Sequence, residues 1–535
     1  MQSPHSPTGI PLHDRFAERI IFVCFSNSST KSRSTMNRTP THFKALRAAS
    51  IICMLLVMSG ATERTVLAQD GMPLFTEDFP PSEFAERRSR VFDRIGPHGI
   101  VVMQGEPTPR GYTRFRQSNE FYYLTGIEVA HALVIMDGAS RTTTLYVPHR
   151  NEGRERAEGH VLSAADAALI HELSGIDRVA ATEQFAEDLG RQMRRRTIPT
   201  LYTLFQPAEG LAESRDLGLR HVSDRLSDPW DGRPSREAHF IGLLRERYPA
   251  FRIESINPIL DDLRLIKSPL EMEMIRKATR LSGIGLMEAM RSVAPGQREM
   301  ELDAVAKYHY WRNGAQGDAY YSLVASAGNA YYPHYNAGQR IMQDGDFLLM
   351  DYAPDVEYYM SDVTRMMPVN GTFSAWQREL YGFYLAAYRA ILHRIRPSVT
   401  PGQIMKEAVG EMRKLVAGWT FSKDIYRAAA LAFVDSYEQR ATREGPTLGH
   451  GVGMATHDVG DYSGVLRAGM VFTIEPALRV PEEQIYIRLE DLIIIHEDRA
   501  EIVSDFVPMD IDDIEAWMAQ DGLLQDYPDM EVFLR

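Results

Sequence analysis

Short apolar runs, each closed by a glycine or a proline, recur in the first third of the chain. GIVVMQG, HALVIMDG and TTTLYVP (residues 99–105, 131–138 and 142–148) read as strands. Ahead of them PSEFAERRSRVFDRI (81–95) spaces its apolar residues at helical period, so this part is an α/β pattern. From 151 to 249 the signal loosens: AADAALIHEL and FAEDLGRQMRRR suggest helices, and the polar stretch 227–235 reads as a surface loop. Ser268, Pro269 and Glu271 then form a helix start, with Ser as N-cap, Pro in the first turn and an acid after it. Met274, Ile275, Ala278, Leu281, Leu286 and Met290 continue that helix, and APGQREMELDAVAKYHYWRNG supplies a turn and a second one. After Tyr320 strands are expected to dominate, in FLLMDYAP, YYMSDVTRMMPV, LGHGVG, VFTIEPAL and YIRLEDLIII. No tandem repeat or low-complexity tract is visible.

Those last segments contain Asp351, Asp362, His450, Glu475 and Glu490. A carboxylate inside an apolar strand is costly unless a positive charge pairs with it, and aspartate is a poor strand former. Taken singly, each acid reads as an edge or turn residue. Together they ask for a shared cation. His450 sits in GHGVG, where small neighbours allow close approach to a bound group; His457 follows seven residues on, and His334 stands upstream in AYYPHYN. Four carboxylates and a histidine form an oxygen-rich set, suited to two divalent ions such as Mn²⁺, Co²⁺ or Zn²⁺. A water shared by such ions is acidified towards neutrality and can attack an amide carbonyl without a serine or cysteine nucleophile.

Length changes the picture by implying two domains, since 535 residues exceed one ordinary core. A net charge of −13 argues against a nucleic-acid partner. Residues 36–68 have the anatomy of a signal peptide: Arg38, Lys44 and Arg47, then an apolar run from Ala48 to Met58, then Ser59, Gly60 and Ala61. The run is too short for a membrane span, so no stable membrane anchor is expected and the mature protein is periplasmic or secreted. Residues 1–35 read as sequence upstream of a native start at Met36. Both cysteines, Cys24 and Cys53, fall in the part removed, which excludes disulfides, thiolate catalysis and cysteine-bound zinc from the mature chain.

The order D…D…GHG…H…EP…RxED resembles the pita-bread metallopeptidases, and RLIKSPLEMEMIR, VASAGNAYYPHYNAG and GMVFTIEPAL agree with it across residues 261–515. RFRQSNEFYYLTGIEVAHALVI (114–135) looks like the N-terminal domain of Xaa-Pro aminopeptidases, which favours the aminopeptidase P and prolidase branch. The resemblance implies a creatinase-like N-terminal α/β domain at 74–262, a pita-bread catalytic domain of α+β type at 263–520, and a tail at 521–535. It implies that Asp351, Asp362, His450, Glu475 and Glu490 ligate two metals, Asp362 and Glu490 bridging. Glu475 would handle the proton of the attacking water, His334 and His457 would act on substrate and intermediate, and Arg488, on the same strand face as Glu490, would support the ligands. The activity implied is removal of a residue preceding proline from a peptide, through a hydroxide bridging the two metals. By analogy with relatives a dimer or tetramer is expected. A prolidase confined to Xaa-Pro dipeptides and a non-catalytic peptide-binding relative stay open. One position departs from the pattern: relatives in this branch carry a histidine four residues before the ligand histidine, and here it is Pro446. That departure bears on the preference for proline.

Overall fold

The computed structural model describes residues 79–194, 200–211 and 213–526. The signal-peptide segment and most of the expected C-terminal tail lie outside them.

In the N-terminal half the strands are β1 (Gly99–Gln104), β2 (Leu133–Asp137), β3 (Thr142–Val147), β4 (Arg178–Ala181), β5 (Thr200–Thr203) and β6 (Arg252–Ser255). They form one mixed sheet in the order β4-β3-β2-β1-β5-β6, with β1, β2 and β3 antiparallel and the other neighbours parallel. Alternate residues of β1 feed two separate cores, as the two-residue period of a strand requires. Val101 and Met103 join Phe84, Val91 and Phe92 of α1 (Pro81–Ile95), while Ile100 and Val102 join Leu189, Met193 and Leu244 on the opposite face.

Helices α2 (Ala167–Ser174) and α3 (Phe185–Arg194) stand where their sequence suggests. The 227–235 loop is also present, but it joins two helices that the apolar pattern did not reveal, α4 (Arg215–Ser227) and α5 (Arg236–Arg247). The reason is plain for α4: Leu217, Leu219 and Leu226 are exposed, so no buried stripe marks it. After α6 (Asn257–Leu265), helix α7 (Pro269–Ser292) begins on a capping box. Ser268 Oγ accepts from Glu271 N at 3.2 Å, and Glu271 Oε2 accepts from Ser268 N at 2.8 Å. Helix α7 packs on α8 (Glu299–Arg312).

Strands do not dominate the rest. Three 18-residue helices, α9 (Ala375–Leu392), α10 (Pro401–Gly418) and α11 (Asp424–Ala441), separate two groups of strands. Before them come β7 (Gly317–Asp318), β8 (Leu323–Ser326), β9 (Phe347–Asp351), β10 (Pro354–Asp355) and β11 (Thr364–Pro368); β11-β9-β8 is one sheet and β7 pairs with β10. After them come β12 (Val471–Ile474), β13 (Ala477–Val480), β14 (Ile485–Arg488), β15 (Asp491–Ile495) and β16 (Ala500–Ile502), as the sheet β12-β15-β16 and the hairpin β13-β14. The helices back the strands through tyrosines: Tyr384 donates to the Pro476 carbonyl at 2.6 Å and Tyr388 to Asp491 Oδ2 at 2.8 Å. LGHGVG is not a strand; Gly451 makes only isolated bridges, to Asp458 and Phe472. Its glycines are small because protein atoms crowd them. A Cβ on Gly449 would lie 2.2 Å from the Thr473 carbonyl oxygen, and one on Gly451 2.2 Å from the Tyr462 ring. Among the described residues, no helix is long and apolar enough to cross a membrane.

Candidate metal centre

Two strand registers converge on one residue, Thr364. Across β9 and β11 it pairs with Asp351, and on its other side it exchanges backbone hydrogen bonds with Glu490, at 3.3 and 3.1 Å. Asp362 precedes Thr364 by two residues in the segment leading into β11. In the β12–β15 ladder Ile474 pairs with Asp491, so the register carried one residue further sets Glu475 opposite Glu490. His450 is fastened beside them by Thr473 N, which donates to its carbonyl at 2.9 Å.

The side chains meet. His450 Nε2 lies 3.5 Å from Asp362 Oδ2, 3.5 Å from Glu475 Oε1 and 3.8 Å from Glu490 Oε1. One donor atom each of Asp362, His450 and Glu490 fit within 4.8 Å of one another. His450 Nδ1 lies 3.2 Å from the Gly451 carbonyl oxygen. A carbonyl only accepts, so the proton of the neutral ring sits on Nδ1 and Nε2 keeps its lone pair for a cation. Asp351 is held differently: Arg488 Nη2 donates to its Oδ2, and the Tyr320 hydroxyl donates to its Oδ1 at 2.5 Å. The same hydroxyl lies 2.8 Å from Asp362 Oδ1, so Tyr320 ties the two aspartates together.

The electrostatics of the cluster favour a positive counter-charge. Burial, followed by the charges of Glu490, Asp351 and Glu475, pushes the Asp362 carboxyl well above its ordinary value. Burial, followed by Glu475 and Asp351, does the same to Glu490, with Arg488 opposing. Burial, with His457 next to it, lowers the His450 imidazole. Glu490 Oε1 is buried with no hydrogen-bond donor among the described residues. Crowded acids, an unsatisfied carboxylate oxygen and a histidine lone pair turned towards them fit hard divalent cations. Asp351, Asp362, His450, Glu475 and Glu490 would hold them, with Asp351 tied to the set through Tyr320 and Arg488. Arg488 Nη1 also reaches Glu475 Oε2 at 3.4 Å, so one guanidinium braces two of the acids.

His457 lies beside the cluster, its ring centroid 4.1 Å from that of His450 and its plane tilted by 46°. His334 is elsewhere in character: it is exposed in the turn after residues 327–331, and its ring makes no hydrogen bond or ion pair among the described residues. Two contributors escaped the sequence reading. Thr364 carries a signal, since D-V-T places it two residues from Asp362. Tyr320 carries none; only the fold brings its hydroxyl to Asp351 and Asp362.

Comparison with known proteins gives the same geometry a lineage. The profile of Metallopeptidase family M24 matches residues 273–497, and that of the aminopeptidase P N-terminal domain matches residues 84–202. The Xaa-Pro aminopeptidase of Haemophilus influenzae is 27% identical over 463 residues, covering 82% of this chain and 97% of its own length. That of Escherichia coli is 28% identical over 456 residues, with the same coverages. Proline aminopeptidase P II from Yersinia pestis superposes with a TM-score of 0.67 at 26% identity, over 82% of this chain and 99% of that one. The two profile matches, in the same order as an aminopeptidase P N-terminal domain followed by a family M24 domain, and the likeness to these relatives support the Xaa-Pro aminopeptidase branch, and the chain is a metal-dependent aminopeptidase.

Proposed function

We propose that the chain is an exported aminopeptidase that removes the N-terminal residue of peptides whose second residue is proline, using two divalent ions. The observation that carries this reading is the approach of Asp362, Glu475 and Glu490 to one histidine nitrogen, at 3.5–3.8 Å. Such ions, when bound, supply an acidified water and polarise the scissile carbonyl at neutral pH.

The chain's own groups do the rest. Asp362, Glu490 and His450 fix the donor set, and Tyr320 and Arg488 keep Asp351 and Glu475 from turning away. Glu475 is the most exposed acid of the set, with 29% of its side chain accessible against 7% or less for Asp351, Asp362 and Glu490. It is therefore the carboxylate placed to take a proton from water and return it to the leaving amine. Export rests on the residues 36–68 alone, and the names of the relatives supply the proline preference.

The test is a panel of Xaa-Pro, Xaa-Pro-Xaa and Xaa-Ala-Xaa peptides given to metal-stripped protein with Mn²⁺, Co²⁺ or Zn²⁺ restored. Release of the first residue from Xaa-Pro-Xaa is expected, fastest with Mn²⁺. A protein that binds no metal and cleaves none of these peptides would refute the reading. N-terminal sequencing of protein recovered outside the cytoplasm tests export, with a start after Ala61 or Ala68 expected.

A further inference from the structure

The histidine beside the cluster is held from a distant part of the chain. His457 Nδ1 lies 2.9 Å from Asp216 Oδ2, and its backbone N–H donates to Ser214 Oγ at 3.2 Å. Both partners belong to the start of α4, the helix that the sequence pattern concealed. Among the described residues, the His457 ring has no other hydrogen bond.

This contact is set by buried charges one residue away on each side. Between Ser214 and Asp216, Arg215 reaches Glu209 Oε1 at 2.9 Å, Glu120 Oε1 at 3.0 Å and Asp261 Oδ1 at 3.3 Å. Next to His457, Asp458 accepts from Lys267 Nζ at 2.9 Å and from Arg264, which also binds Glu209 Oε2 at 2.7 Å. Glu209 thus links the two anchors, and the ends of the Asp216–His457 pair have little freedom to move apart.

The pair itself is exposed, 55% for the Asp216 side chain and 43% for that of His457. Exposed ion pairs contribute little to stability, and the buried network already docks the start of α4. What the pair does determine is the ring's orientation. A carboxylate accepts at Nδ1, so Nε2 is the edge left to act elsewhere.

We infer that Asp216 is a positioning residue for the reaction: it holds His457 with Nε2 presented to the peptide at the metal centre. Helix α4 thereby completes the site. This rests on the peptidase reading, so its test needs one arm that does not.

In the full-length protein, Asp216→Ala and Asp216→Asn are expected to lower kcat on an Xaa-Pro-Xaa peptide by about ten- to a hundredfold, with KM little changed. Asp216→Glu should recover much of the loss. Bound metal and unfolding midpoint should match the wild type, as should the activity of Leu226→Ala on the same helix. Adding Asp216→Ala to His457→Ala should cost nothing further, because one acts through the other. Unchanged kcat in Asp216→Ala, or losses that multiply, would overturn the inference. The independent arm is the nitrogen-15 spectrum of the His457 ring in metal-free protein. Nδ1 should carry the proton in the wild type and lose that preference in Asp216→Ala. An unaltered ring sinks the inference even if the wild type cleaves no peptide, whereas that inactivity with the expected ring change removes only the peptidase reading.

Discussion

Thr364 and Glu490 are bound to each other twice over: they exchange both backbone hydrogen bonds, and Thr364 Oγ1 donates to Glu490 Oε2 at 2.8 Å. Arg488 Nη2 donates to the same hydroxyl at 3.1 Å. The strand junction and the carboxylate's orientation are therefore one feature, and Glu490 turns its other oxygen, Oε1, to the cluster.

Thr364→Val keeps the shape of that junction and removes the hydroxyl. Glu490 Oε2 then loses its donor, which costs about 1–3 kcal/mol when the atom is buried. Metal affinity should fall by roughly ten- to a hundredfold, as for other lost supports of a ligand. Titration of stripped protein with Mn²⁺ measures that affinity directly. Unchanged affinity would mean that the backbone alone orients Glu490.

Removing metal should cost stability as well as activity. Burial and mutual repulsion drive Asp362 and Glu490 up, and cations bound only by the folded chain relieve both. At a free ion concentration a hundredfold above Kd, binding stabilises by about 2.7 kcal/mol. Chelation is expected to lower the unfolding midpoint and abolish cleavage, and Mn²⁺ to restore both. Asp362→Asn should be inactive, and its midpoint should respond far less to Mn²⁺, as calorimetry with and without the ion will register.

A second acid, away from the centre, gives stability a pH dependence. Glu128 is pushed to about 7, chiefly by burial, with Tyr358, Arg116 and Arg114 opposing and Asp355 adding to it. The folded chain therefore keeps a proton that the unfolded chain sheds near 4.5. Stability from this group is complete below about pH 4.5 and is lost as pH rises through about 7, by about 3 kcal/mol in all. Glu120 is also raised to about 7, by burial and Glu209, so the wild-type slope alone is ambiguous. Glu128→Gln isolates it: urea unfolding should show the variant gaining on the wild type between pH 5 and 8. Parallel curves would contradict the assignment.

What the sequence made legible depended on whether a residue's neighbours in the chain are also its neighbours in space. The N-terminal sheet was readable because β1, β2 and β3 are short, apolar and glycine- or proline-bounded. The acids were readable because each breaks an apolar strand or strand end. Helix α4 was not, since its leucines face solvent, and α9 to α11 went unremarked among segments taken for strands. The small residues of GHGVG suggest space around a bound group, whereas in the fold its glycines admit Thr473 and Tyr462. Tyr320, Ser214 and Asp216 reach the site from distant parts of the chain, and no local pattern carries that information.

Pro446 stands where the resemblance implies a histidine, and its surroundings say what the proline does locally. Its ring sits against the first turn of α10, where a Cβ on Gly402 would come within 3.2 Å of Pro446 Cγ. Proline offers no donor and no titrating ring, so where the resemblance implies a histidine four residues before His450 this chain has an apolar residue fixed to a helix. A pocket that differs by a few contacts discriminates by about 1–3 kcal/mol, or roughly ten- to two-hundredfold. The wild type is therefore expected to cleave Xaa-Ala-Xaa at a measurable fraction of its rate on Xaa-Pro-Xaa. Pro446→His should raise the ratio of kcat/KM for the proline peptide over the alanine peptide by about tenfold, within that range. Bound metal should not change, because the substitution lies outside the donor set. If the ratio stays constant while the variant remains folded and metal-loaded, proline selection resides in another wall of the site, and the identity of residue 446 is a packing choice made against α10.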